Sequence, residues 1–209
     1  MVTSKHRMGL PLHLTLGIWL FLLAACASSP TSVHSGPALT LTSPEGTRFT
    51  LAKLSSDRQA TVLVFWSATC PCVRRYQERV DSLLDRYPQV RVLGVSSNAG
   101  ESAADVLRVA NERRVRIPIY RDDGGEVARA LGARSTPTVV VLDARGNVRF
   151  LGWLDNERLP GDTGRQPWLD RALQGILDGH TDFSSRTPTY GCTITRSLFG
   201  APSSSCCSH

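Results

Sequence analysis

Lysine is almost missing from this chain. Of its 24 basic residues only Lys5 and Lys53 are lysine, and the rest are arginine. The arginines are interleaved with 18 acidic residues rather than gathered on one stretch. The formal net charge of +6 therefore lacks the basic patch that an electrostatic nucleic-acid footprint requires, and no nucleic-acid partner is expected. Also lacking is a run of about 20 apolar residues, the length that crosses a bilayer as a helix. Internal repeats are absent too, and so is the composition that would leave the body unfolded. The chain has 209 residues, 41% of them hydrophobic and 20% charged, which is globular composition. About 150 residues are enough to bury a core without help from a metal or a disulfide. Histidine is scarce, and His34 and His180 are distant in sequence from the cysteines discussed below. Neither a Ser-His-Asp triad nor a zinc site is supported, so no cofactor and no metal are expected. The isolated Asp122-Asp123 and Asp155-Asn156 pairs read as turns.

The first 25 residues read as an address. Lys5, His6 and Arg7 form a basic start, and an apolar run from Gly9 to Ala25 follows. This is the anatomy of a secretory signal. The run ends in Leu23-Ala24-Ala25-Cys26, which resembles a bacterial lipobox. That resemblance implies cleavage before Cys26, a lipid on its sulfur and a chain held on a membrane surface. Ala27 rather than Asp follows, which by the same resemblance favours the outer membrane. Residues 26–38 are rich in Ser, Thr, Pro and Gly and read as a flexible tether. The folded body is expected at 39–180 and a tail at 181–209. Its expected place is the cell envelope, facing the periplasm or the exterior, where disulfides persist.

Along the body, Leu39–Leu41 and Phe49–Leu51 flank Pro44-Glu45-Gly46 and read as a hairpin. Thr61–Trp66 is an unbroken β-forming apolar run and reads as a buried central strand. Val73, Tyr76, Val80, Leu83, Leu84 and Tyr87 recur at helical spacing up to Pro88. Val90–Val95 is a further strand, Ala103–Arg113 a helix, Ile117–Tyr120 a short strand, and a small helix ends at Leu131-Gly132. Thr138–Leu142 and Val148–Leu151 read as a strand pair around the turn Ala144–Asn147, and Trp168–Leu177 as a closing helix. Strands alternating with helices give an α/β sandwich with a parallel sheet, to which the last hairpin adds antiparallel strands.

The chemistry concentrates where the central strand meets the first long helix, at Cys70-Pro71-Cys72. Proline suits the first helical position, where its missing N–H is not needed. That places Cys70 at the N-cap. A sulfur there can accept the backbone N–H groups of Cys72 and Val73, and it feels the positive end of the helix dipole. Both effects favour the thiolate, the nucleophilic form. Arg74 and Arg75 add positive charge in sequence.

Phe65-Trp66-Ser67-Ala68-Thr69-Cys70 resembles the active-site strand of the thioredoxin superfamily, and Ser135-Thr136-Pro137-Thr138 resembles its cis-proline loop. Cys70-Pro71 with Tyr76, Ser97-Asn98 and Gly191-Cys192-Thr193-Ile194 is similar to the redoxin branch, the alkyl hydroperoxide reductase and thiol-specific antioxidant type. The resemblance spans roughly Leu39 to Gly179. It implies a thioredoxin-like three-layer sandwich with a mixed central sheet, flanking helices and an N-terminal β-hairpin. It also implies that Thr136 and a cis Pro137 stand beside Cys70 and hold the substrate backbone. The chain departs from the pattern in several places. One residue, not two, separates Cys70 from Cys72. Val64 stands where thioredoxins carry a buried Asp. Leu63 replaces the peroxiredoxin Pro, and Pro137 falls where their catalytic Arg would be.

On a helix, residues i and i+2 face different ways, so a Cys70–Cys72 disulfide is expected to distort the first turn and to be easily reduced. The alternative is that one of them pairs elsewhere, and Cys192 is the candidate resolving partner on a C-terminal segment. Cys206 and Cys207 form a terminal cluster with His209. The reading is a membrane-anchored thiol–disulfide oxidoreductase in which Cys70 attacks and Cys72 resolves. It acts on a protein or small-molecule disulfide or a peroxide and draws on an unidentified electron donor. A thiol peroxidase using the same Cys70 is the near alternative. A copper-binding module on the same fold is the distant one, against which the Cys70-x-Cys72 spacing argues.

Overall fold

The structure is a computed structural model and describes residues 38–157, 164–180 and 185–196. The leader, Cys26, Cys206 and Cys207 lie outside the described residues. The chain opens with strands β1 (Thr40–Thr42) and β2 (Arg48–Thr50), followed by helix α1 (Leu51–Ser55) and strand β3 (Ala60–Trp66). Helices α2 (Pro71–Asp81) and α3 (Leu83–Arg86), strand β4 (Arg91–Ser96), helix α4 (Ala103–Glu112) and strand β5 (Ile119–Arg121) come next. Helix α5 (Glu126–Leu131) precedes strands β6 (Ser135–Thr136), β7 (Thr138–Asp143) and β8 (Val148–Gly152). Helix α6 (Trp168–Leu177) and strands β9 (Ser185–Arg186) and β10 (Cys192–Thr193) complete the described elements.

The main sheet runs β2-β1-β5-β4-β3-β7-β8-β9, and β10 pairs with β6 apart from it. β3 is parallel to β4 and antiparallel to β7, so the sheet is mixed, as the alternation of elements and the late hairpin imply. The first hairpin pairs Leu41 with Phe49.

Every residue of β3 and β7 is buried, and their period-2 alternation divides the core in two. Val62, Val64, Trp66, Val139 and Val141 pack with α2, α4 and α6 on one face. Leu63, Phe65, Val140 and Leu142 pack with α1 and α5 on the other. This gives three layers, with β3 sealed between two sets of helices.

Two sequence expectations are corrected here. The helical spacing from Val73 to Tyr87 is not one helix: it breaks at Ser82, whose hydroxyl donates back to the Arg79 carbonyl at 2.8 Å, a bond that competes with the helical ladder. The second piece ends at Tyr87, which leaves helical geometry (φ −134°) because Pro88 disfavours a helical conformation just before it. Leu51 is not the end of a strand either. Thr50 caps a short helix there, accepting the Lys53 N–H at 3.2 Å. The two acidic pairs read as turns also do more than turn. Asp122 accepts the N–H groups of Val127 and Ala128 at 3.0 and 2.9 Å and so caps α5. Asp155, fully buried, pairs with Arg79 and Arg165.

Candidate active site

β3 delivers the chain to its carboxyl end, the usual place for a site in an α/β sheet, and residues 67–69 turn it into α2. Cys70 is the N-cap in extended geometry (φ −78°, ψ 119°), with Pro71 in the first turn. The expected cap bond is not made: the Cys70 sulfur accepts no N–H of α2. It is a free thiol, 1% exposed, and it donates to the Thr136 carbonyl at 3.2 Å. The Thr136–Pro137 bond is cis, so the loop stands against the cysteine as the resemblance implied.

The turn before Cys70 is held from outside by residues that carry no sequence signal. One Glu101 carboxylate oxygen accepts from the Ser67 hydroxyl at 2.5 Å, the Thr69 hydroxyl at 3.1 Å and the Thr69 N–H at 3.3 Å. Its other oxygen takes the Ser96 hydroxyl at 3.3 Å. Arg113, at the end of α4, donates to the Ala68 carbonyl at 2.6 Å. Burial lowers the Arg113 pKa and the Arg74 charge adds to that, while Cys70 and Glu101 pull the other way. Arg113 is thus a cation placed among the groups around Cys70, whereas Arg74 and Arg75 are exposed. Behind the site, the Trp66 indole donates to Gln77 at 3.0 Å and Gln77 donates to Asp81 at 3.1 Å. This buried chain fixes the rotation of α2 on β3.

The sulfurs of Cys70, Cys72 and Cys192 all lie within 4.8 Å of one another. Cys72 does not turn its sulfur away, contrary to the expectation from helical spacing. Because Cys70 is extended rather than helical, the i, i+2 rule for helix faces does not apply to the pair. Cys72 is disulfide-bonded, and Cys70, a free thiol, is not its partner. Cys192 reaches the site because β10 pairs antiparallel with β6, setting Cys192 opposite Thr136 and Thr193 opposite Ser135. An aromatic series supports this approach: Tyr76 of α2 lies 5.1 Å from Trp153, and Trp153 lies 4.9 Å from Tyr190, ring centre to ring centre. Burial raises the Tyr76 pKa. With Cys72 reduced, three sulfurs at this spacing would form a donor set for a soft ion such as Cu(I), and no histidine joins it among the described residues.

A family model described as AhpC/TSA matches residues 34–151, more than half of the chain. The chain belongs to the AhpC/TSA family. That assignment covers the strand-to-helix turn and the cis-proline loop but stops short of Cys192. Among curated proteins, the thiol-disulfide oxidoreductase ResA of Halalkalibacterium halodurans is 28% identical over 104 residues, 50% of this chain and 58% of that protein. The chain thus matches little more than half the length of that relative. Among solved structures, an uncharacterized conserved protein from Geobacillus kaustophilus superposes with a TM-score of 0.68 at 26% identity, covering 82% of this chain and 93% of that one. A hypothetical protein from Sinorhizobium meliloti 1021 gives 0.67 at 24%, covering 81% and 94%. A Mycobacterium tuberculosis protein, dsbF, gives 0.51 at 21%, covering 66% and 93%. These likenesses establish the thioredoxin-like fold of this AhpC/TSA family member.

Proposed function

We propose that the chain is a membrane-anchored, extracytoplasmic thiol–disulfide oxidoreductase. One observation carries the reading: the Cys70 thiol stands at the N-cap position of α2 and touches the carbonyl before cis-Pro137, with two further sulfurs within 4.8 Å. As a thiolate Cys70 attacks one sulfur of a substrate disulfide and expels the other as a thiolate. In its reduced form Cys72 then attacks the Cys70 sulfur of the mixed disulfide and releases the substrate thiol. Two electrons pass to the substrate, and a thiol donor restores the enzyme. Thr136 and Pro137 offer backbone to the incoming strand. The similarity to the thiol-disulfide oxidoreductase of Halalkalibacterium halodurans supports this chemistry.

The test is turnover of a disulfide substrate by the reduced protein and by Cys70→Ser. Equal rates would reject Cys70 as nucleophile. Family membership also favours a peroxidase reading with the same nucleophile, and turnover of a hydroperoxide in place of a disulfide would select it. The three-sulfur cluster favours the copper reading. Stoichiometric Cu(I) binding that is lost in Cys70→Ser, without disulfide turnover, would select that one.

The anchoring half of the proposal rests on the lipobox-like Leu23-Ala24-Ala25-Cys26. Among the described residues no helix is long and apolar enough to cross a membrane. Mass spectrometry of membrane-extracted protein should show a diacylglyceryl addition on Cys26. An unmodified soluble mature chain would reject the anchor.

A further inference from the structure

We infer that the arm Tyr190–Arg196 is a built-in substrate mimic and that Cys192 exchanges directly with Cys70. The inference rests on the oxidoreductase reading and adds to it a third redox cysteine, a substrate shape and a gate. A substrate strand needs the backbone edge of Ser135–Thr136 beside the nucleophile. In this structure β10 already holds that edge, with a cysteine opposite Thr136 and its sulfur within 4.8 Å of Cys70. Substrate and arm exclude each other there.

The arm is fastened along its length by contacts from residues 98–99, 134 and 153. The Trp153 indole donates to the Tyr190 carbonyl at 2.8 Å. The Ile194 N–H donates to the Arg134 carbonyl at 2.9 Å, and Ile194 is 5% exposed. Thr195 donates its N–H to the Asn98 side chain at 2.9 Å, and its carbonyl accepts the Ala99 N–H at 2.9 Å. Gly191 sets the closeness of approach: its φ is +121°, and a Cβ there would stand 2.0 Å from the Thr136 oxygen. Only glycine allows backbone to lie this near the loop. The arm therefore describes the substrate it replaces: an extended strand with a ring two residues before the cysteine, glycine next to it, and an apolar residue two after. The burial of Cys70, 1% exposed, fits a nucleophile that a bulky disulfide meets only once this edge is cleared.

The exchange balances. The Cys70 thiolate attacks a substrate disulfide, forming a mixed disulfide and releasing one substrate thiolate. The Cys192 thiolate attacks the Cys70 sulfur, the Cys70–Cys192 bond forms, and the second substrate thiolate leaves. Both enzyme protons end on the substrate thiols. A dithiol reductant reverses the bond.

The experiment uses the full chain with Cys72, Cys206 and Cys207 replaced by serine. The probes are a small aromatic disulfide and the symmetric disulfide of the peptide Tyr-Gly-Cys-Thr-Ile. After one turnover with the small probe, mass spectrometry should find Cys70 linked to Cys192. Gly191→Ala, whose strained backbone costs enough to loosen the arm, should react about tenfold faster with the peptide disulfide and little faster with the small one. Asn98→Ala, which frees only the Thr195 end and leaves the loop intact, should shift the same ratio in the same direction. If Cys70 stays linked to the probe with no Cys192 bond, or both variants leave the ratio unchanged, the inference fails while the nucleophile stands. If Cys70→Ser retains turnover, the oxidoreductase reading itself fails.

Discussion

The turn from β3 into α2 and the arm from Tyr190 to Arg196 bring their sulfurs to the same point, yet they are held there by different physics. The first grows out of a strand with every residue buried, against helices on both faces. Its position is a property of the core, and moving it means opening the core. The arm is held by a two-residue strand, a few backbone bonds and one buried side chain, Ile194. Segments with few apolar contacts open at a fraction of the global cost. Under the proposed function, a rigid nucleophile beside a detachable partner would be a division of labour that suits exchange chemistry: the attacking sulfur would keep its geometry while the other one comes and goes.

The sharpest way to break this comparison is to remove the rigid partner's sulfur. Cys70→Ser should reduce disulfide turnover to the uncatalysed level. Cys72→Ser combined with Cys192→Ser, which removes both sulfurs within reach, should instead accumulate a mixed disulfide on Cys70, read by mass spectrometry after quenching. A Cys70→Ser protein with near-normal turnover would place the chemistry elsewhere in the cluster.

Next in size is the stability contrast. Phe65→Ala, at a position 0% exposed in β3, should cost about 4 kcal/mol in denaturant unfolding. Ile194→Ala should cost about 2 kcal/mol, the low end for such a truncation, because the arm can separate while the core remains. Hydrogen exchange should show the same order, with amides of β10 opening well before those of β3. Equal protection in both would make the arm an integral part of the core and remove the basis for calling it detachable.

The two regions also differ in how far the sequence announces them. The turn is local. A β-forming run, a cysteine, a proline at the first helical position and apolar residues at helical spacing sit within about two dozen positions, and each follows from backbone chemistry. The mixed sheet follows from the same kind of signal. The arm is not local. Pairing Cys192 with Thr136 depends on a two-residue strand too short for any periodicity, and on Trp153, Asn98 and Arg134 from three separate loops. Gly191-Cys192-Thr193-Ile194 was visible as a family-like motif, but its place at the edge of the cis-proline loop was not. Glu101 and Arg113 were silent for the same reason: a carboxylate or guanidinium on an exposed-looking helix or loop reads as a solvated surface until its partners are known.

Glu101 is where the rigid region borrows support from outside itself, so it sharpens the comparison from the other side. Glu101→Gln keeps the shape but replaces one acceptor oxygen with a donor, against three groups of the turn that donate to a single oxygen. The expected loss is about 2 kcal/mol of stability, together with slower alkylation of Cys70 at neutral pH as the turn loosens. A change in stability with no change in Cys70 reactivity would show that the turn is set by β3 alone.

The smallest expected effect comes from a turn remote from both regions, which serves as a control. Asp143 ends β7, and its carboxylate accepts the N–H groups of Arg145 and Asn147 at 2.9 Å each, the Asn147 side-chain amide at 3.0 Å and the Arg149 Nε at 2.8 Å. Burial by itself pushes its pKa up, but the bonds from Asn147 and Arg149 outweigh that, and the net shift is downward from 3.8. A carboxyl with a lowered folded-state pKa binds protons more readily when unfolded. Its contribution is therefore complete above the unfolded value and is lost as the pH falls below 3.8 through the folded value. Asp143→Asn should cost about 1.5 kcal/mol at neutral pH, and the gap to wild type should narrow as the pH falls below 3.8. Cys70 alkylation should not change at neutral pH, since the turn touches neither the nucleophile nor the arm. If this substitution alters Cys70 reactivity as strongly as Glu101→Gln, the sheet transmits strain to the site from any distance, and the separation of a rigid turn from a detachable arm loses its meaning.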